Sequence, residues 1–451
     1  MTTPYPALPN PAPEALNFST ADGGTLPLAK PYRGTLVVAG PDSGKTSAIA
    51  APMVAQFVQK NFAGLVYSAD AALAAAVRHA AAVPHQLPGL RERLVQLRYL
   101  DFAQPAQSAR VNPWHPSYIP NTAVAMQFAA TLLGGIGHIG TKRGEDFFST
   151  SALTYLTAII LYYRNNHPAL CTVPHVVATV AHPNFTHVLS MLSEDADARA
   201  MVQSMLATVE QGAEKQLAGI ISFLQVQLNP LRQPAIAWLL APDEPDSLDL
   251  NDPTNPALLA ITPPASMAPG FAAAIGSVVN TALSQMNRPH KHPSFVVLDD
   301  AETIYIEGLE IIPATCRANK LAFNYLTSDV ARLLESYGRD RGQVLLSCLY
   351  NQFYGQISST QTGAAATLAA GPALPPDGAF ALQPYEFIGQ LAGNDEPAHF
   401  RATLVPSAAP QQIAPASTYT HISEEMMASH TVTVRLAVER TVAAHRNKLR
   451  P

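Results

Sequence analysis

The sequence predicts an α/β protein: a mostly parallel sheet with helices on both faces, interrupted by an all-helical insertion. Three observations predict it. Short apolar runs alternate with helical stretches between residues 31 and 118. Strand signals then vanish over residues 119–245 and return over residues 246–406. Apolar residues make up 48% of the 451 positions, enough for a large core and too many for global disorder.

Residues 1–30 are punctuated by proline and read as an extended arm. They lack the basic-then-apolar order of a signal peptide. "GTLVVA", from Gly34, is an apolar run suited to a buried parallel strand. A tight loop follows, then a helix from about Lys45 to Lys60 that Pro52 should kink. "AGLVYSAD" reads as a second strand, "AALAAAVRHAAA" as a helix and "LVQLRYLDF" as a third strand. This rhythm marks a parallel sheet.

Across residues 119–245 the spacing is helical throughout. "NTAVAMQFAATLLG", "DFFSTSALTYLTAIILYYR", "VPHVVATVA", "NFTHVLSMLS" and the stretch from Asp197 to Leu231 carry it. No run of about 18 strongly apolar residues appears, so no membrane span is expected. Strands resume with "ALLAITPP", "SFVVLDD", "LAFNYLTS" and "QVLLSCLY", and "EFIGQLAG" with "HFRATLVP" reads as a closing antiparallel pair. Residues 407–451 form an Ala/Pro-rich tail with a terminal helix and a basic end, "RNKLRP".

Charge and cysteine content narrow the function classes. Charged residues make up only 14%, and the net charge is −5. Any nucleic-acid contact therefore needs a local basic patch or a pore built from several subunits. Cys171, Cys316 and Cys348 are far apart and form no CxxC pair. That argues against a disulfide framework or a zinc site and fits a reducing compartment.

The strongest chemical signal is Ala39-Gly40-Pro41-Asp42-Ser43-Gly44-Lys45-Thr46, followed by Ser47. It fits the phosphate-loop pattern [AG]xxxxGK[ST], with Ala in the first place. Small residues let backbone N–H groups turn inward around a β-phosphate, and the following helix points its positive end at the anion. Lys45 would reach the β and γ oxygens, and Thr46 would ligate Mg²⁺. Asp42 complicates the loop. A carboxylate about 5 Å from a phosphate oxygen costs about 3 kcal/mol at an effective dielectric near 20. Asp42 is therefore expected to face outward, as in some viral replicative helicases with Asp in the same loop place. A second signal is "SFVVLDDAETIY", an apolar strand ending in two acids. Asp299 is placed to hold the Mg²⁺ shell, and Asp300 to polarise the attacking water, a task more often given to Glu.

In this order the motifs resemble the TraG/TraD class of conjugative coupling proteins, most closely the Bacteroidetes branch. The resemblance covers about residues 32–405. It runs through "RGTLVVAGPDSGKT", "NFAGLVYSADAAL", "ARVNPWHPSYI", "GEDFFSTSALTYLTAIILYY", "LDDAETIYIEGLEIIPATCRANKLA", "LESYG" and "YEFIGQLAGN". It implies a RecA-like P-loop NTPase core at residues 31–118 and 246–406, with the all-α insertion at 119–245. It implies ATP and Mg²⁺ as cofactors and ATP hydrolysis coupled to DNA translocation. It further implies a hexameric ring around single-stranded DNA or a relaxase–DNA complex, working with type IV secretion membrane components. The expected place is the cytoplasm, peripheral at the inner membrane. The resemblance puts an arginine finger at Arg317 and aligns Ser328 with the family's sensor Gln.

Several positions depart from the family pattern. Ala39 and Asp42 stand where Gly is usual, and Asp300 stands for Glu. Tyr67-Ser68-Ala69-Asp70 replaces a YD-x-K stretch, and the family's preceding transmembrane segment has no counterpart. Two other readings stay open: a non-hydrolysing adaptor or partner subunit, and a different P-loop ATPase such as a packaging motor or a helicase-like defence protein. Elsewhere, His115, His138, His167 and His175 show no metal-ligand spacing. Lys142 and Arg143 are pore-lining candidates as well as ordinary loop cations. The polar run Glu210–Gln216 suits a channel, an interface or a helix surface equally.

Overall fold

The computed structural model describes residues 14–82, 95–137, 147–375, 377–394, 396–407 and 422–445. Lys142, Arg143, His138, the first 13 residues and the basic "RNKLRP" end lie outside them.

Eleven strands are described: β1 (Leu16–Ser19), β2 (Thr25–Leu28), β3 (Thr35–Val38), β4 (Ala63–Tyr67), β5 (Gln96–Asp101), β6 (Ala257–Thr262), β7 (Ser294–Leu298), β8 (Leu321–Thr327), β9 (Asn351–Tyr354), β10 (Glu386–Leu391) and β11 (Ala398–Thr403). Nine of them form one sheet in the order β11-β10-β9-β3-β8-β7-β4-β6-β5. The run from β9 to β5 is parallel, and β10 and β11 close one edge antiparallel. The central strands β3, β4 and β7 are buried along their whole length, as expected for strands covered on both faces.

Side chains alternate between two cores, one on each face of the sheet. Leu36, Val38, Leu65, Tyr67, Val296 and Leu298 face the core shared with the helical insertion. Val37, Val66, Phe295 and Val297 face the helices that follow β3 and β4. Between Thr122 and Leu240 the described elements are all helical. The terminal helix Glu424–Ala443 packs on three helices of this insertion, Val173–Val180, Phe185–Leu192 and Pro234–Leu240. There His430 Nε2 lies 2.9 Å from the Ala241 carbonyl, and His445 Nδ1 lies 2.7 Å from Glu194 Oε1. Among the described residues no helix is long and apolar enough to cross a membrane.

The structure corrects the sequence reading at four places. Within the expected arm, β1 and β2 pair as an antiparallel hairpin. Leu16, Phe18, Leu26 and Leu28 pack under it into the second core, which an extended arm would leave exposed. "QVLLSCLY" is not a strand: Arg339–Ser347 is helical, and the strand follows as β9. Its buried positions Gly342, Leu345 and Leu349 are spaced three and four apart, a helical period. The long helical stretch after Asp197 breaks at Gly212, whose φ of 73° ends the helix Ala196–Glu210 before the helix Glu214–Leu228 begins. The Glu210–Gln216 run is that exposed junction. Finally, the loop helix opens as a π-turn over Lys45–Ala50 and becomes α-helical only at Ala51–Gln59. Pro52 has no N–H to bond four residues back, and the wider turn absorbs that missing bond.

Candidate nucleotide-binding site

The sheet order assembles the site. β3 delivers the Ala39–Thr46 loop, β8 delivers Ser328 and β7 delivers Asp299 and Asp300, each at its C-terminal end. These three strands are neighbours, and β4 beside β7 brings Ser68 and Asp70. Open parallel sheets bind ligands at this end. The result is a cleft of about 400 Å³ lined by the loop, Ser47, Asp70, Asp299, Asp300, Ser328 and Tyr385.

Backbone hydrogen bonds fix the loop. Ala39 N–H donates to the Thr327 carbonyl at 3.2 Å, and Gly40 N–H to the Gln356 carbonyl at 2.9 Å. Buried Ser43 turns its hydroxyl onto the Gly40 carbonyl, and its own carbonyl accepts from Tyr385 N–H at 2.9 Å. Gly44 sits at φ 95°, with the Tyr385 ring where a Cβ would go. Only glycine meets both demands. Asp42 adopts φ 55° and is exposed at the cleft rim. Asp tolerates this left-handed conformation better than most residues, which accounts for an acid where the family has Gly.

Lys45 lies between the two acids after β7. Its Nζ is 2.7 Å from Asp300 Oδ1 and 3.5 Å from Asp299 Oδ1. Burial opposes its charge, but Asp299 and Asp300 outweigh burial and hold its pKa above the ordinary lysine value. Asp299 is 1% exposed. Burial, then the negative charge of Asp300, raises its pKa against the pull of Lys45 and of a hydrogen bond from Ser68. The Ser68 hydroxyl donates to Asp299 Oδ2 at 2.9 Å, so serine in the family's acid position serves the buried carboxylate. Asp299 Oδ1 is buried and has no hydrogen-bond partner among the described residues. A carboxylate oxygen left in that state fits a hydrated divalent cation.

Four carboxylates, Asp42, Asp70, Asp299 and Asp300, line the cleft with one ammonium, Lys45. Such a surface favours a divalent cation and penalises a bare polyphosphate. Arg317 is not in this cleft. It is exposed just before β8, at the opposite end of the sheet from the loop after β3. His115 and His175 are engaged locally, with Ser117 and Thr172. Sequence reasoning missed Tyr385 and Glu302. Tyr385 comes from the far end of the chain at a strained φ of 67°, with no local sequence signal. Glu302, two residues beyond Asp300, was visible as a third acid in "DDAET" and accepts from the Ser328 hydroxyl at 3.2 Å.

Fold and site together define a RecA-like P-loop architecture with a helical insertion. Several solved structures share this fold. The plasmid coupling protein TrwB in complex with ADP and Mg²⁺ matches with a TM-score of 0.65, over 88% of this chain and 91% of that chain, at 13% identity. TrwB in complex with the non-hydrolysable ATP analogue ADPNP matches with a TM-score of 0.62, over 87% and 89%, at 13% identity. VirB4 of Thermoanaerobacter pseudethanolicus matches with a TM-score of 0.52, over 88% and 96%, at 15% identity. No family model and no curated protein matches the sequence.

Proposed function

We propose that this chain is the ATP-driven coupling motor of a conjugative, type IV secretion-like DNA-transfer system. The observation that carries the reading is the convergence of Lys45, Thr46 and Asp299 on one cleft at the C-terminal ends of β3 and β7. The loop backbone would cradle the β-phosphate, and Lys45 would leave Asp300 for the phosphate oxygens. Thr46 and Asp299 would hold the Mg²⁺ shell, which neutralises the charge developing on phosphoryl transfer. The TrwB complexes with ADP and Mg²⁺ and with ADPNP support the same ligands here. Arg317, remote from its own cleft, suits a neighbour's site in a ring of copies, a hexamer in this reading. Single-stranded DNA or a relaxase–DNA complex is the proposed cargo. Membrane components of the secretion system would recruit the chain to the inner membrane.

Hydrolysis by the purified, assembled chain tests the motor. Single-stranded DNA should stimulate it, and Lys45→Ala should abolish it. Assembled protein that shows no stimulation contradicts the motor. One observation favours a second reading, a non-hydrolysing adaptor: Asp300 replaces the usual Glu and is already paired with Lys45 at 2.7 Å. Turnover that appears only in Asp300→Glu with Ser328→Gln would identify a decayed enzyme.

A further inference from the structure

We infer that Glu302, acting through Ser328, positions the attacking water in place of Asp300; this rests on the ATP-hydrolysis reading above. Asp300 is a poor candidate for the task. Its side chain is 43% exposed and one methylene shorter than the usual Glu, and its backbone holds φ 50°. Glu302 has the opposite character. It lies in the short 3-10 turn Ala301–Thr303 directly after Asp300, and its side chain is only 5% exposed. Oε1 accepts from Ser328 Oγ, and Oε2 is buried with no hydrogen-bond partner among the described residues. A half-satisfied buried carboxylate is costly to keep.

The hydrogen-bond arithmetic gives Ser328 its role. A serine hydroxyl has one proton and two lone pairs. With the proton committed to Glu302, only acceptor capacity is left for the cleft that Ser328 lines. An acceptor there orients a water toward the terminal phosphate. In the step, the water oxygen bonds to the γ-phosphorus and the bond to the ADP oxygen breaks, its electron pair leaving on ADP. The water proton passes to Ser328 Oγ as the Ser328 proton passes to Glu302 Oε1, and from there to solvent. The charged groups around Glu302 are compatible with this. Exposed Arg332 lies 3.9 Å from Oε1, and the Lys45 ammonium is close enough to feel its charge. The Tyr325 hydroxyl, buried and without a hydrogen-bond partner among the described residues, also senses Glu302.

The test uses the full chain with single-stranded DNA and reads Mg-ATP affinity by calorimetry alongside kcat. Glu302→Gln should keep Kd within about threefold and lose about 100-fold or more in kcat. Ser328→Ala should lose kcat to a similar extent, and the double variant should lose little more. If Glu302→Gln does not fold, Ser328→Ala carries the test. A variant within threefold of the wild-type kcat, or one whose Kd weakens in step with kcat, overturns the assignment. A wild type that binds Mg-ATP without ever turning it over overturns the hydrolysis reading itself.

Discussion

Lys45 holds three carboxylate neighbours in balance, and nucleotide binding must rearrange them. Asp70 adds a fourth acid at a place where the family pattern has Lys. Replacing it, Asp70→Lys, removes one negative charge from the rim and adds a positive one. Mg-ATP affinity should rise by about tenfold, read by calorimetry. Gly44→Ala tests the loop geometry. A Cβ at φ 95° meets the Tyr385 ring, so the variant should lose about 1–3 kcal/mol in denaturant unfolding and bind nucleotide weakly. Lys45 and Thr46 stood out because phosphate-loop chemistry is local: spacing alone puts small residues, a lysine and a hydroxyl at one helix start; Asp299 stood out as an acid ending an apolar strand. Ser68, Tyr385 and Glu302 were not assigned roles. Their partners lie 231 residues away for Ser68–Asp299 and 26 for Glu302–Ser328, and such pairings depend on strand order rather than on spacing.

Strands read from apolar runs held wherever both faces are covered, as in β4, β6, β7 and β8. They failed where the run was amphipathic: "QVLLSCLY" buries one helical stripe and exposes Val344 and Tyr350. The β1–β2 hairpin was hidden because proline-rich flanks dominate its neighbourhood, while its alternation spans only four residues per strand. In the insertion, the helix Val173–Val180 carries His175, buried against the terminal helix side that bears His430. Burial, then His430, depresses the His175 pKa to about 4, with Asp243 opposing. A depressed imidazole stabilises the fold only while neutral. Its contribution is complete above the unfolded value of 6.5 and is lost as pH falls from 6.5 toward 4. The full gap is worth about 3 kcal/mol. Thermal melts at pH 7.5 and 4.5 should show this loss, and His175→Gln should flatten it. A wild type equally stable at both pH values would contradict the burial argument.

At the scale of the molecule, one mostly parallel sheet separates two features. The C-terminal ends of its central strands gather the candidate cleft, and Arg317 sits at the other end. β8 alone, seven residues long, puts about 20 Å between Arg317 and Ser328. A single copy therefore cannot bring Arg317 to its own cleft, whereas the proposed ring would bring it to the next copy's. Arg317→Ala should leave Mg-ATP affinity intact and reduce the turnover of the assembled protein by about 10³-fold or more, the range of an arginine finger. Mixing Arg317→Ala with Lys45→Ala subunits should restore part of the activity, because each supplies what the other lacks. No recovery on mixing would count against a shared site.

In the proposed motor the loop at residues 39–46 holds a nucleotide despite the acids around it. Calorimetric titration of Mg-ATP into the wild type and Lys45→Ala tests it most directly. The wild type should bind at micromolar concentrations in a Mg²⁺-dependent way, and Lys45→Ala should lose that binding. Absence of heat with the wild type, or equal affinity in the two proteins, would contradict it.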